Sequence, residues 1–447
     1  MTDFHSVLAM LHSPIPRIRL FGSVVEIATD RIRVSGLSQY VNMADLLTVA
    51  TDHQHQVFEV CHIGDECVSA IPYDLVNRAK IGNRVERRGA LSVSPTASWK
   101  GRVVNALGMP IDNLAILPTS TMESALQRAP PRPMERALLD TPFVTGVAAV
   151  DAFTPLCVGQ RIGVMAGSGV GKSTLLAMLA QAPTASTIVL ALIGERGREV
   201  REFLESTLGH ARERVIAVVA TAEESTMMRR LAAKTAMAIS ERLRDDGENV
   251  FLIIDSLTRF AHAQRDFALA ADEPPVARGY PPSVFREMSV LLERAGAGKL
   301  GSITLVASVL IDGDDHNDPV ADAVRGIVDG HLVLDRNIAA EGRWPAMNLL
   351  QSVSRLAERV WSPSQKTLIT ELRQAMARYE ETRELRAIGE YRSGRSAELD
   401  RAVAVVPLVY AALRQGPRDI SVDPFAILAK AVEASSSMTE PRHAGRH

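Results

Sequence analysis

"VMAGSGVGKSTLLAML", residues 164–179, is the stretch whose reading decides the fold. An apolar strand-like run ends at Ala166, three glycines follow at 167, 169 and 171, and a helical pattern opens at Lys172. A Gly-rich turn between a strand and a helix is built to hold phosphate. Successive backbone N–H groups curl around the anion, and the positive end of the helix points at the same charge. The predicted nucleotide-binding set is therefore Ala166, Gly167, Ser168, Gly169, Val170, Gly171, Lys172, Ser173 and Thr174. Lys172 reaches the β- and γ-phosphates, and the Ser173 hydroxyl enters the shell of a Mg²⁺ ion that accompanies ATP. Ala166 stands where the strict pattern has glycine, but the turn glycines are all present.

Around this stretch lie "RIGVMAG", "TIVLALIG", "VIAVVAT", "VFLIIDS", "SITLVASVLI" and "HLVLDR", short and almost continuously apolar. Such runs suit strands buried on both faces of a parallel sheet, and helical stretches such as "MMRRLAAKTAMAISERLRDDG" separate several of them. The expected fold is α/β, a doubly wound parallel sheet. "VFLIIDS" places Asp255 at the carboxyl end of a buried strand, where open α/β sheets bind ligands and where Mg²⁺ needs an oxygen donor. "LALIGERGREVREF" places Glu195 directly after another such strand. A carboxylate there can orient and deprotonate an attacking water, or it can be a first-turn acid stabilising the helix that follows. Position alone, with Arg196, Gly197 and Glu199 alongside, leaves the two readings even.

The chain has 447 residues, enough for two or three domains, and its net charge of −2 excludes a broadly basic surface. Residues 17–92 alternate and turn often, which reads as a small barrel or sandwich with too few aromatics for stacking nucleic-acid bases. The Pro-rich "APPRPMERALLD" at 129–140 reads as a linker, residues 93–362 as the phosphate-binding domain, 363–435 as a helical bundle and 436–447 as a flexible tail. Cys61, Cys67 and Cys157 lack disulfide or zinc spacing and read as reduced thiols. "HQH" at 53–55 and "GDDHNDP" at 313–319 read as polar loops rather than metal sites. No apolar run approaches the ~20 residues that span a bilayer, and the N-terminus lacks the pattern of a secretory signal. In residues 1–16, Phe4, Val7, Leu8 and Leu11 share a helical face cut off by Pro14 and Pro16. That face packs on its own domain or docks a partner.

"GRVVNALGMPID", "TGVAAVDAF", "ALIGERGREVREFLE", "IIDSLTRFAHAQRD", "GYPPSVF", "LLERAG" and "GDDHNDPVADAVRGIVDGHLVLDR", with the Gly-rich stretch, resemble the type III protein-export ATPases. These comprise the flagellar export ATPase and its injectisome relatives, similar in turn to the catalytic subunits of rotary ATP synthases. The match runs from about residue 20 to 415, and "GYPPSVF" and "DSLTRF" look more flagellar than injectisome-like.

The resemblance implies a RecA-like P-loop core, preceded by a small N-terminal β-barrel and followed by a C-terminal helical bundle. It implies that Glu195 is the catalytic carboxylate, acting with Lys172, Arg196 and Arg355, and that Ser173 and Asp255 serve the metal. Trp344, in "EGRWPAMN", stands where the family presents a tyrosine to the adenine ring. Arg355, in "SVSR", matches the arginine that completes a neighbouring subunit's site in the rotary synthases. Because one chain carries both Glu195 and Arg355, a homohexameric ring is expected, with each Arg355 serving its neighbour's ATP. Further implied partners are a stator-like regulatory protein at residues 1–16, a coiled-coil stalk, a membrane export gate, and exported substrates with their chaperones. The expected place is the cytoplasmic face of the inner membrane. The alternatives are an injectisome ATPase, a ring RNA translocase, which low aromatic content disfavours, and a silent ring subunit, which Glu195 disfavours.

Overall fold

Two patterns of burial alternate along this chain, one of period two and one continuous, and each builds its own unit. The computed structural model describes residues 19–51, 55–276, 278–311, 318–421 and 423–439. The docking face of residues 1–16, most of "HQH" and most of "GDDHNDP" lie outside the described residues. One unit comprises the chain up to Leu91 with Ala270–Asp272, and the other comprises Ser92–Leu269 and Glu273–His447.

The first unit is a closed antiparallel barrel of six strands: β1 (Phe21–Ile27), β2 (Ile32–Ser35), β3 (Asp45–Ala50), β4 (His55–Ile63), β5 (Cys67–Pro72) and β6 (Arg84–Ala90), in the order β1-β2-β5-β4-β3-β6. Alternate side chains such as Ile32 and Val34, Leu47 and Val49, and Phe58 and Val60 fill its interior. Closure leaves no unpaired edge.

The second unit is built on a sheet of β7 (Val103–Asn105), β8 (Arg161–Ala166), β9 (Thr187–Ile193), β10 (Val215–Ala220), β11 (Asn249–Asp255), β12 (Ser302–Leu310), β13 (Gly330–Val333) and β14 (Val353–Ser354). The order is β14-β13-β8-β12-β11-β9-β10-β7, and every pairing along it is parallel except β13 with β14. The strands β9 and β10 are buried along their whole length, which explains their unbroken apolar sequence. The flanking helices include α1 (Lys172–Leu179), α2 (Gly197–Glu202), α3 (Thr226–Asp245), α4 (Leu257–Ala270) and α5 (Pro282–Glu293). C-terminal to them are α6 (Pro363–Glu381), α7 (Ala397–Ala412) and α8 (Pro424–Thr439).

Three details differ from the sequence reading. The Pro-rich passage, read as a linker within residues 93–362, is fastened to the second unit. Arg136 fastens it there, donating to Glu293 O (2.8 Å) and to the Glu293 carboxylate (2.9 Å). The C-terminal helices share one core with the sheet, because Ile369, Leu372, Met376, Val405, Val406 and Val409 join the same apolar cluster as Ile162, Leu190 and Leu332. The helix α8 continues to Thr439, beyond the expected start of the tail. Its stripe of Phe425, Leu428, Ala431 and Val432 packs on that cluster and carries the poorly helical serines with it. Among the described residues, no helix is long and apolar enough to cross a membrane.

The helix α3 is held by one deeply buried ion pair. Arg294 donates to both oxygens of Glu241 (3.0 and 2.6 Å) and to Leu126 O (2.7 Å), with the two side chains 3% and 1% exposed. Removing one partner strands a buried charge. Arg294→Met is therefore expected to cost about 3–5 kcal/mol of unfolding free energy, seen as a lower urea midpoint, and Arg294→Met with Glu241→Leu to recover most of it. A loss for Arg294→Met no larger than the ~1 kcal/mol of a surface pair would contradict this role.

Candidate active site

Because β8, β9, β11 and β12 run the same way, their carboxyl ends meet at one edge of the sheet. The turn from β8 to α1 crosses that edge with Gly169 and Gly171 at φ +76° and +88°, left-handed values that glycine adopts freely. Gly171 is the residue that caps α1. The turn opens on a cleft of about 630 Å³ lined by Gly167, Ser168, Gly169, Gly171, Lys172, Ser173 and Thr174, and facing them by Gly194, Glu195, Arg196, Glu199, Ala222, Arg229, Arg259 and Leu310. Ala166 and Val170 are each 1% exposed, and their side chains point into the core rather than the cleft.

Lys172 crosses from the turn to the neighbouring strands. Its Nζ lies 2.5 Å from Asp255 Oδ1 and 3.3 Å from Glu195 Oε1. Burial works against the lysine charge, but the charges of Asp255 and then Glu195 outweigh it, so the Lys172 pKa stays above the usual lysine value. Asp255 is 4% exposed, and Ser308 of β12 donates to the same Oδ1 at 2.6 Å. Register explains the meeting: Asp255 lies opposite Leu192, three residues before Glu195. The backbone of Glu195 is fixed as well, its carbonyl accepting from Ala222 N at 2.9 Å. Arg196 is exposed at the cleft mouth and lies 3.6 Å from Glu199.

Ser173, Glu195 and Asp255 also line one hollow of about 240 Å³ behind the turn. Hydroxyl and carboxylate oxygens are the donors Mg²⁺ takes, so the residues fit that ion. Among the described residues, no cluster of His, Cys, Asp and Glu could hold a metal unaided.

Trp344 is brought to the turn. Its ring lies so close to Gly171 that a β-carbon there would sit 2.3 Å from the indole. Its carbonyl is held by Gln415 N at 3.0 Å. Arg355 is not brought to the turn. Its backbone N–H donates to Asp329 O at 2.9 Å, and the Asp329 carboxylate accepts from the backbone N–H of Arg161, the first residue of β8, at 3.0 Å. Arg355 thus stands at the amino end of the strands, separated from the turn by the length of β8, about 16 Å. Its side chain is exposed, with Nη2 donating to Arg325 O at 3.2 Å.

Sequence reasoning missed Arg229, Arg259 and Ser308. Arg259 lies in the first turn of the helix that follows Asp255 and packs its stem on Gly194, and a cation just past a ligand-edge strand could have found it. Ser308, a lone hydroxyl in a buried apolar strand, was a weaker signal. Arg229 had none, because only the fold turns its part of α3 toward the cleft.

A phosphate-binding turn, a strand-end aspartate and a strand-end glutamate around one lysine define a P-loop ATPase. A family model for the nucleotide-binding domain of the ATP synthase alpha/beta family matches residues 146–354, and one for the T3SS EscN ATPase C-terminal domain matches residues 361–423. The flagellum-specific ATP synthase of Rhizobium meliloti (strain 1021) is 48% identical over 95% of this chain and 91% of that protein. The type 3 secretion system ATPase of Xanthomonas euvesicatoria is 40% identical over 86% of this chain and 87% of its own. The structure of the assembled ATPase EscN from the enteropathogenic E. coli type III secretion system covers 92% of this chain and 100% of its own, at 37% identity and a TM-score of 0.85. The chain belongs to the type III export ATPase family, on its flagellar side.

The contact of Gly171 with Trp344 makes a direct test. In Gly171→Ala the new methyl must displace the indole, and the left-handed backbone costs about 1–2 kcal/mol more. Nucleotide affinity is expected to fall at least about tenfold, followed by calorimetry at a temperature where the nucleotide-free variant, its melting point lowered by a few degrees, is still folded. Parent-like affinity would contradict the placement of nucleotide against this pair.

Proposed function

We propose that this chain hydrolyses Mg-ATP as one subunit of a homohexameric ring that energises flagellar type III protein export, with each catalytic site completed by Arg355 of the adjacent subunit. The turn from Ala166 to Thr174 and Lys172 bind the phosphates, and Trp344 offers its ring to the adenine. Ser173 and Asp255 would hold Mg²⁺, which would supply positive charge against the phosphates. Glu195 accepts a proton from the attacking water, and Arg196 adds a cation beside it. As the phosphoryl group transfers, charge spreads over its oxygens, and a neighbouring guanidinium stabilises it. Such a finger is worth ~10³–10⁵ in rate in GTPases, roughly 4–7 kcal/mol of barrier.

The observation that carries the reading is the place of Arg355. An exposed arginine at the amino end of the strands cannot serve the phosphates at their carboxyl end, but it can serve those of an adjacent copy. The assembled state of EscN supports a ring, and EscN in complex with its central stalk EscO, 36% identical to this chain with a TM-score of 0.85, supports a stalk partner. The higher identity to flagellar relatives, 48% against 40%, favours flagellar over injectisome export. On this reading residues 1–16 dock a stator-like regulator. The ring works at the cytoplasmic face of the inner membrane beside the export gate, receiving substrates and chaperones.

Two outcomes are expected. Specific activity rises with protein concentration as subunits assemble, and Arg355→Ala binds ATP normally yet turns it over slowly at every concentration. Glu195→Gln retains nucleotide binding and loses turnover by about 10²–10⁴-fold, the usual share of a general base. Activity per chain that is constant from dilute monomer to assembled protein would refute the shared site, and a fully active glutamine variant would reduce Glu195 to a helix-end acid.

A further inference from the structure

We infer that Arg229 is the terminal-phosphate contact of this site, gripping the γ-phosphoryl oxygens of ATP and the inorganic phosphate left after cleavage. The inference rests on the ATPase reading above.

The order of the strands lays the site out in line. Trp344 follows β13, the phosphate turn follows β8, Asp255 ends β11, Glu195 follows β9, and Arg229 lies on α3 after β10. Across the sheet these strands run β13, β8, β12, β11, β9, β10. A nucleotide with its base at Trp344 and its phosphates over the turn therefore points its last phosphate toward Glu195, and Arg229 stands beyond it in the same cleft. Ala222 N, just upstream of α3, donates to the backbone carbonyl of Glu195 at 2.9 Å, so the segment leading into α3 is tied to the backbone of the catalytic glutamate.

Charge matching points the same way. Lys172 is matched by Asp255 and Glu195, and Arg196 by Glu199. Arg229, like Arg259 of the same cleft, has no carboxylate within ion-pair distance among the described residues, but Arg259 lays its stem on Gly194. The Arg229 Nη2 makes one long bond to Thr226 Oγ1 at 3.3 Å, and its buried Nε has no acceptor. The next residue, Arg230, is 2% exposed and stacks on Phe267 at 4.1 Å, so of two adjacent arginines one serves the core and one faces the cleft. Arg229 also sits in the first turn of a twenty-residue helix, whose positive end favours an anion. A planar fork of donors suits phosphate oxygens better than a point charge does.

The alternative is that Arg229 merely clips the first turn of α3 through Thr226. Binding of the ATP analogue AMP-PNP and of ADP, each with Mg²⁺, to the full-length protein separates the two. Arg229→Gln is expected to weaken AMP-PNP by about tenfold to a hundredfold, as for a lost charge-assisted hydrogen bond, and ADP far less. Orthophosphate should inhibit ATP turnover less in the variant than in the parent. Arg229→Lys, which keeps the charge without the fork, should fall between the two and serves where the glutamine variant does not fold. Equal losses for AMP-PNP and ADP, or no loss for either, would overturn the proposal in favour of the helix clip. A parent that binds both nucleotides but never cleaves ATP would instead overturn the ATPase reading, because the discrimination between analogue and ADP needs no turnover.

Discussion

The parallel pairing of β8, β12, β11 and β9 is the constraint on which the site depends. A strand has two chemically different ends, and parallel register puts the same end of every strand at one edge. One edge therefore collects the phosphate turn, Asp255 and Glu195 from segments far apart in sequence, and Lys172 joins them across 2.5 and 3.3 Å. An antiparallel neighbour would have sent one of these carboxylates to the far side of the sheet. The same polarity sends Arg355, after the antiparallel β14, to the opposite edge. Separation of the lysine and the arginine within one chain is thus a property of strand direction, and on the proposed reading it is the reason each site needs a second copy.

Burial shapes what these groups can do. Lys172 and Asp255 are largely buried, where charges interact more strongly than at an exposed surface, so Lys172 stays protonated despite its burial. Asp255 is held from two sides, by Lys172 and by the Ser308 hydroxyl, and the loop after β10 holds the backbone of Glu195. Groups fixed in this way need little reorganisation during reaction, which is the main source of electrostatic catalysis. Arg229, Arg259 and the exposed Arg355 differ from Lys172 in having no carboxylate partner among the described residues.

Much of this was legible in the sequence because strand ends are local. A buried β-run announces itself by its apolar residues, and the first polar residue after it lies at the edge. Asp255 and Glu195 were found in that way, as was the turn. What could not be read depends on neighbours distant in the chain. Arg229 faces the cleft only because β10 lies beside β9, and Ser308 reaches Asp255 only through the register of β12 with β11. The edge strand β7 is three residues long, too short for a periodic signal. The reach of α8 to Thr439 follows from its packing stripe and not from the serines at its end.

The claim that two chains make one site is tested most directly by mixing two inactive forms. Arg355→Ala keeps an intact turn and Glu195, while Glu195→Gln keeps an intact Arg355. If the site is shared, rings containing both variants include boundaries at which an intact Glu195 meets an intact Arg355. ATP turnover in the mixture then exceeds the sum of the two separate proteins and follows the fraction of mixed assemblies seen by native mass spectrometry. A mixture shown by mass to have co-assembled, yet no more active than its parts, would contradict the account.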